Sequence, residues 1–571
     1  MADKKAKLNI ANFELSPRIF WAAVAFCILL KLVLSSFQLI QIFTENAPID
    51  DELMLNAAKS IRNGNWLGEY NWLTISKHMF FSVWLCFLNI LHIPYVIGGQ
   101  LLYCACCAVM TCALSPIFHK RIQSFIIFFV LWFSPYSFAS FTLRVYRDNI
   151  FPSLCLLFFA GMLGLCLRAN RGLKRSVPFA AAAGFGLGLA LITREDGIWL
   201  LPFAVCASAF YILFFICKKS DAKQKLCGLY SIVCSLLICI SCVGIYSFMN
   251  YLYYGRFCVS DFTSPEFSAV ISAFKRADTD VPHKRILICS DTHKKIYSAV
   301  PDAAKLGELL ETPKYMNGYG DIELGEYTSG GFCWALRRAA YDSGFAPDAQ
   351  SAKLFYEKLA SDINAACDSG QIESRDGSLS LGGAFTVPFD RSYIAPTMSE
   401  IGRSLRVLLL FEQTSAMAPL SYSTPKQALE SEIFTFTKSS KTAIANTALP
   451  YYTSAERAAG ICFSIISWCY RLLIFPALFL GLKFIFSCIV NSANELRKKR
   501  FTVNGLFSIL LLGLLCSILL RVSIVSYTEA TNYLIGTYLL YLSSAGPLIL
   551  LIASLGTARL FADVTNAEKC D

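Results

Sequence analysis

Long apolar runs alternate with short polar breaks in the first and last parts of this chain, and give way to an even mixture between them. Apolar runs near 19–43, 97–117, 122–140, 149–168, 177–193, 197–217 and 226–248 precede the mixed region, and runs near 456–489, 504–525 and 531–556 follow it. At about 1.5 Å per helical residue such runs approach the roughly 30 Å of a bilayer's hydrocarbon layer, so the pattern predicts ten crossings. MFFSVWLCFLNILHI (79–93) is apolar but short, which predicts an interfacial or re-entrant helix. Between 250 and 455 the apolar positions recur every three or four residues in SPEFSAVISAFKRA, GGFCWALRRAAYDSG and DAQSAKLFYEKLASDINAACDSG, the signature of amphipathic helices. SLSLGGAFTVPF (378–389) reads as strand or loop. The expectation is an all-α polytopic membrane protein of about ten spans. A mostly helical α+β domain at 250–455 separates an N-terminal membrane module, 1–249, from C-terminal membrane helices, 456–571.

Composition agrees. Of 571 residues 55% are hydrophobic and 16% charged, against about 25% charged in soluble domains. A basic tail (Lys4, Lys5, Lys7, Arg18) precedes the first apolar run, which is longer than the roughly 7–15 residues of a signal-peptide core and so reads as a retained helix. The net charge of +11 points away from nucleic acid, because the cations gather in short loops, RANRGLKRS (168–176), KKSDAKQK (218–225) and NELRKKR (494–500). Such loops mark the cytoplasmic side. Leaving 79–93 uncrossed puts all three loops, HKR (119–121) and both termini inside. It puts the loop 44–96, RVYRDN (144–149), TRED (193–196), the domain 250–455 and TEAT (528–531) on the outer face of the cell membrane. Most of the 23 cysteines lie in apolar runs. Cys258, Cys289, Cys333 and Cys367 lie in the domain, and disulfides among them stay open.

The acidic residues cluster on that one face. APIDDELMLNAAKSIRNGNW (47–66) opens with Asp50, Asp51 and Glu52 and continues as an amphipathic helix with Leu53, Met54, Ala57, Ala58 and Ile61 on one side. One carboxylate suffices to cap a helix; three point also to a general base or to ligands of a divalent cation, with Asp50 and Asp51 the candidates. TISKHMF (74–80) supplies Lys77 and His78. RVYRDN supplies Arg144, Arg147 and Asp148, and TRED supplies Arg194, Glu195 and Asp196. Arg521, near the outer end of the ninth span, and Lys31, within the first, are costly in lipid and face inward. Guanidinium groups suit bidentate phosphate binding, and the acids can orient them or take protons.

These residues together resemble the GT-C membrane glycosyltransferases, such as protein O-mannosyltransferases and the lipid A aminoarabinose transferase. DDELMLNAAKSIRNGNWLG stands where those enzymes have an acidic pair, a helix and a G-x-W turn. LTISKH stands where they have a Lys-led K-P-P or K-G-P. LWFSPYSFASFTLRVYRDN matches their S-P span end followed by an Arg and an Asp, and GLGLALITREDGIWLLP their glycine-spaced helix ending in T-R or T-K. The likeness covers residues 15–215 and, more loosely, 500–560. It departs at His78-Met79 after Lys77, and at TNYLIG, where Asn532 replaces an expected Arg that Arg521 could supply. The resemblance implies the GT-C bundle, a polyprenyl-phosphate sugar donor and transfer with inversion. It places Asp50 at the general base, Asp51 at its acidic neighbour, Lys77 at the donor phosphate and Asp148 at the turn between the third and fourth spans. The acceptor stays open among glycan, glycolipid and protein. A transporter or flippase, a surface-glycan polymerase or ligase with a diphosphate donor, and a receptor with an outer sensor domain are the rival readings.

Overall fold

The computed structural model describes residues 13–42, 48–217, 222–279, 284–328, 330–375, 387, 389–417, 427–439, 453–533, 536 and 538–561. In chain order the helices are α1 (Pro17–Ser36), α2 (Leu53–Arg62), α3 (Phe80–Ile90), α4 (Tyr95–Leu114), α5 (Arg121–Trp132), α6 (Phe151–Leu167), α7 (Leu173–Thr193), α8 (Leu201–Cys217) and α9 (Ala222–Tyr254). Then come α10 (Pro265–Ala277), α11 (Ser290–Ala299), α12 (Pro301–Leu310), α13 (Pro313–Tyr319), α14 (Gly331–Asp342), α15 (Ala349–Asp368), α16 (Ile394–Leu409) and α17 (Gln427–Thr437). The chain closes with α18 (Ser454–Arg497), α19 (Val503–Thr528), α20 (Tyr538–Leu542) and α21 (Gly546–Arg559). β1 (Gly320–Asp321) and β2 (Glu326–Tyr327) pair antiparallel.

The protein is a mostly helical, multi-pass membrane protein. Among the described residues eight helices are long and apolar enough to cross a bilayer, and a ninth forms if α5 and Pro135–Leu143 count as one span bent by 47°. Eight of the ten expected runs are single long helices, and the other two, 122–140 and 531–556, are built from shorter pieces. Pro135 lacks an N–H and turns Ser134 away from helical geometry, which breaks the third span. The last run, expected at 531–556, holds α20 and then α21, the latter 14 residues long, or about 21 Å. α21 is buried along almost its whole length against α18 and α5, so protein rather than lipid surrounds it. α3 is short, as its 11 residues dictate.

Burial sorts the helices. α6 is buried nearly throughout, whereas α9 and α18 expose rows of large apolar side chains such as Leu229, Leu236, Ile240, Leu472 and Phe479 to the surroundings. Close packing in the centre needs glycine. A Cβ on Gly186 of α7 would lie 2.4 Å from the Phe158 nitrogen of α6, and one on Gly556 of α21 would lie 2.1 Å from the Gly481 nitrogen of α18.

A second core is built from α10, α14 and α15, with Phe267, Phe274, Phe332, Leu336, Leu359 and Ile363 inside it. Ser264 and Asp348 cap α10 and α15, and Gly370 leaves α15 with φ +74°, as the Ser-Gly stop requires. α16 belongs elsewhere: its Val407 and Leu408 join the core of the membrane bundle, packed on α19. Cys258, Cys333 and Cys367 are free thiols. The segment 378–389 lies, save for Val387 and Phe389, outside the described residues.

Candidate active site

The acidic mouth folds as a wide turn, Pro48–Glu52, leading into α2, whose Met54, Leu55, Ala57 and Ala58 are buried. Asn63 ends the helix and Gly64 follows at φ +85°, where a side chain would be strained. Neither aspartate caps α2: Glu52 holds the capping position and makes no capping bond. The carboxylates point to other partners, which removes the simplest structural account of them.

Asp51 is fully buried. It accepts from Arg144 through Nε at 2.8 and 3.1 Å and through a second nitrogen at 2.5 Å. Asp50 is different: its side chain is 29% exposed where that of Asp51 is 0%. It accepts from Lys77 Nζ and, at 2.9 Å, from the Tyr146 hydroxyl, with Arg144 3.5 Å from its second oxygen. Burial pushes the Asp50 carboxyl up, but the Lys77 ammonium, with the Arg144 and Arg147 guanidiniums behind it, prevails and holds it at about 2.

Tyr146 is the hub. Its ring lies under both neighbouring guanidiniums, Arg144 at 4.6 Å and Arg147 at 5.0 Å. Its hydroxyl takes a hydrogen bond from Arg147 at 2.9 Å while donating to Asp50. Arg147 also grips Glu195 at 2.6 and 2.9 Å. His78 reaches this network by its backbone N–H, 3.0 Å from Glu195, whereas its ring meets Leu191 O at 2.6 Å and Thr263 at 3.3 Å. A carbonyl partner fixes the proton on Nδ1. Burial lowers the pKa of the ring, so it stays neutral.

The second half of the network runs parallel to the first. Arg194 bonds Asp148 and also Asp196, the latter at 2.8 Å. Arg521 donates to Asp196 at 2.6 Å and to Tyr541 O at 2.7 and 3.0 Å. Two dipeptides, Arg147-Asp148 and Glu195-Asp196, therefore place alternate charges in two adjoining rows. Asp50, Asp51, Lys77, His78, Arg144, Arg147, Asp148, Arg194, Glu195, Asp196 and Arg521, all noted in the sequence, enter one or the other half of this network. Lys31 does not; its ammonium is buried against Trp132 O at 2.5 Å and Ser137 Oγ at 2.6 Å, 4.0 Å over the Trp132 ring.

As ligands for a divalent cation, Asp50 and Asp51 are already engaged by Lys77 and Arg144. Among the described residues no group of three or more His, Cys, Asp or Glu side chains is arranged to hold a metal ion.

No family model matches the chain, and no curated protein matches it. Solved structures give two similarities. They are crystal structures of ArnT from Cupriavidus metallidurans, in the apo state and bound to undecaprenyl phosphate, each 12% identical to this chain. The alignments cover 95% of this chain and 78% and 77% of that one, with TM-scores of 0.31 and 0.29. Scores at that level carry no argument about the site.

The second core closes over the network. Trp334 of α14 stands 5.2 Å from Lys77 Nζ. Three residues along the same helix, Arg337 is buried and donates to Trp72 O at 2.6 Å, Thr74 O at 2.7 Å and Asp261 at 2.7 Å. Ile75 sits between those carbonyls and Lys77 at φ +50°, a strained value for a β-branched residue. Its carbonyl accepts the Asp261 N–H at 2.8 Å, and its buried side chain helps to hold it there.

Three participants were not singled out in the sequence. A tyrosine between two arginines reads as packing, so Tyr146 had little signal. Trp334 and Arg337 had none, because periodicity shows that α14 is amphipathic but not which distant loop its buried face meets.

Proposed function

We propose that this chain is an integral-membrane glycosyltransferase of the GT-C kind. On this reading it moves a sugar from a polyprenyl-phosphate donor to an acceptor on the extracytoplasmic face of the cell membrane, with inversion. The observation that supports it best is the pairing of Asp50, the more exposed aspartate of the mouth, with Lys77, inside a cluster of guanidiniums. A phosphate needs those cations and a transfer needs that carboxylate.

The chemistry runs in one displacement. The donor phosphate takes Lys77, with Arg144 and Arg147 near, and Lys77 lets Asp50 go. Freed of the ammonium, the carboxylate becomes a stronger base. It accepts the proton of an acceptor hydroxyl or amine while that atom bonds to the anomeric carbon. The bond from that carbon to the phosphate oxygen breaks, its electron pair staying with the phosphate, and polyprenyl phosphate leaves. Cations already in place stabilise the negative charge as it forms, and no strong acid is required.

The test uses purified protein in lipid nanodiscs and a polyprenyl phosphate without sugar. Asp50→Asn is expected to bind that lipid at least as tightly as the native chain, yet lose about 10²–10⁴-fold in sugar transfer. Lys77→Met is expected to lose the binding. Transfer retained in Asp50→Asn would reject the base. Binding unchanged in both Lys77→Met and Arg147→Met would reject the donor. Lipid translocation without a new glycosidic product would favour the flippase. Transfer measured with and without a chelator decides whether a divalent cation takes part.

A further inference from the structure

A second polar feature lies beside the charge network and does not depend on the glycosyl-transfer reading. Where α4, the Pro135–Leu143 segment and the start of α6 meet, a cavity of about 20 Å³ is lined by Gln100, Ser137, Thr142, Asp148, Asn149 and Ser153, among others. A water, or an ion of similar size, needs about 10–15 Å³. Three of these side chains carry a buried oxygen without a hydrogen-bond partner among the described residues: Gln100 Oε1, Asp148 Oδ2 and Asn149 Oδ1. Gln100 is 4% exposed and Asp148 0%.

Most of the wall's side-chain hydrogens are spent elsewhere. Gln100 Nε2 donates to Ser137 O at 2.6 Å and Asn149 Nδ2 to Thr142 O at 2.9 Å, which leaves the amide oxygens over. The hydroxyls of Thr142 and Ser137 donate to Ala139 O and Ser134 O, and those of Tyr103 and Tyr136, also in the wall, to Leu131 O and Leu408 O. Arg194 occupies only the first oxygen of Asp148. A buried acceptor with no partner costs about 1–3 kcal/mol, and here three belong to residues that line one small space.

A water molecule has two hydrogens for three acceptors, whereas a cation satisfies all three. The donor set is oxygen alone, with one carboxylate, which suits hard cations. Mg²⁺ keeps several waters and Ca²⁺ takes about 6–8 oxygens, neither of which fits a space of one water. We propose that this cavity binds one small monovalent cation, of the sodium class, between Asp148, Asn149 and Gln100. Arg194 and Lys31 flank the site, Lys31 through Ser137 Oγ, and Asp148 is the one carboxylate of the donor set.

The test is thermal unfolding of the purified full-length protein in NaCl, KCl and choline chloride at equal ionic strength. An ion that binds only the folded state raises the midpoint with its concentration. The expected result is a rise with Na⁺ that choline does not give, with the half-saturating Na⁺ concentration increased about tenfold or more in Gln100→Leu. Equal midpoints in Na⁺ and choline for the native chain would overturn the proposal and leave water as the occupant. A sodium effect of unchanged concentration dependence in Gln100→Leu would overturn the assignment to this cavity. Should Gln100→Leu not fold, Gln100→Glu decides: the added charge should lower the half-saturating concentration, and no change would reject the site.

Discussion

Asp50 and Asp51 are neighbours in sequence with separate tasks, and substitutions should part them. Asp51 is buried on a bidentate guanidinium, so Asp51→Ala strands Arg144. The loss should be on the order of 2 kcal/mol, below the roughly 3–5 of a fully buried pair because Arg144 keeps some access to water and to Asp50. Chemical unfolding in detergent measures it. Asp50 answers to pH instead. Its carboxyl is depressed to about 2 from an ordinary value of about 3.9. The stability it contributes is therefore present above about pH 4 and lost as pH falls toward 2. On the proposed transfer mechanism the two limbs of the activity profile should separate. The acid limb of kcat/KM for the donor reports the free enzyme and lies low. That of kcat lies higher, because the phosphate has by then taken Lys77. Coincident limbs would show that Lys77 stays on Asp50 throughout. The charges themselves were legible in the sequence. Their pairing was not, since a carboxylate at a helix start reads equally as a cap.

Among the helices, periodicity and length marked the long membrane runs, α2, the short α3 and α10, α14 and α15, but not α11, α12, α13, α16 or α17. What the hydropathy pattern passed over was geometry at single residues. Pro135 was visible, yet an apolar run hides a bend. The last run hid a helix too short to span, because a helix buried in protein and one buried in lipid have the same apolar signature. Glycines carry part of the difference. Gly556→Ala should destabilise the bundle by about 1–3 kcal/mol, since its new methyl meets the Gly481 backbone of α18. Gly244→Ala in α9 meets nothing within 4 Å and should be neutral or slightly stabilising. Monodispersity after heating, read by size-exclusion chromatography, compares the two.

At the scale of the whole molecule the domain and the membrane bundle are joined through the loop that carries Lys77. Arg337→Leu would remove three hydrogen bonds to that joint and leave Asp261 with Arg256, 3.5 Å away. The expected outcome is faster amide hydrogen exchange at residues 70–78, with α10 and α15 still protected. Exchange confined to α14 itself would show that Arg337 merely stabilises its own helix. This joint could not be foreseen, because it links residues more than 260 positions apart. The pairing of Asp50 with Lys77 has a kinetic consequence. If base and phosphate anchor neutralise each other at rest, water or acceptor arriving alone meets no available base. Substrates must then bind in a compulsory order, donor first. A non-reactive acceptor analogue would inhibit uncompetitively with respect to the lipid, because it meets a freed carboxylate only in the donor complex.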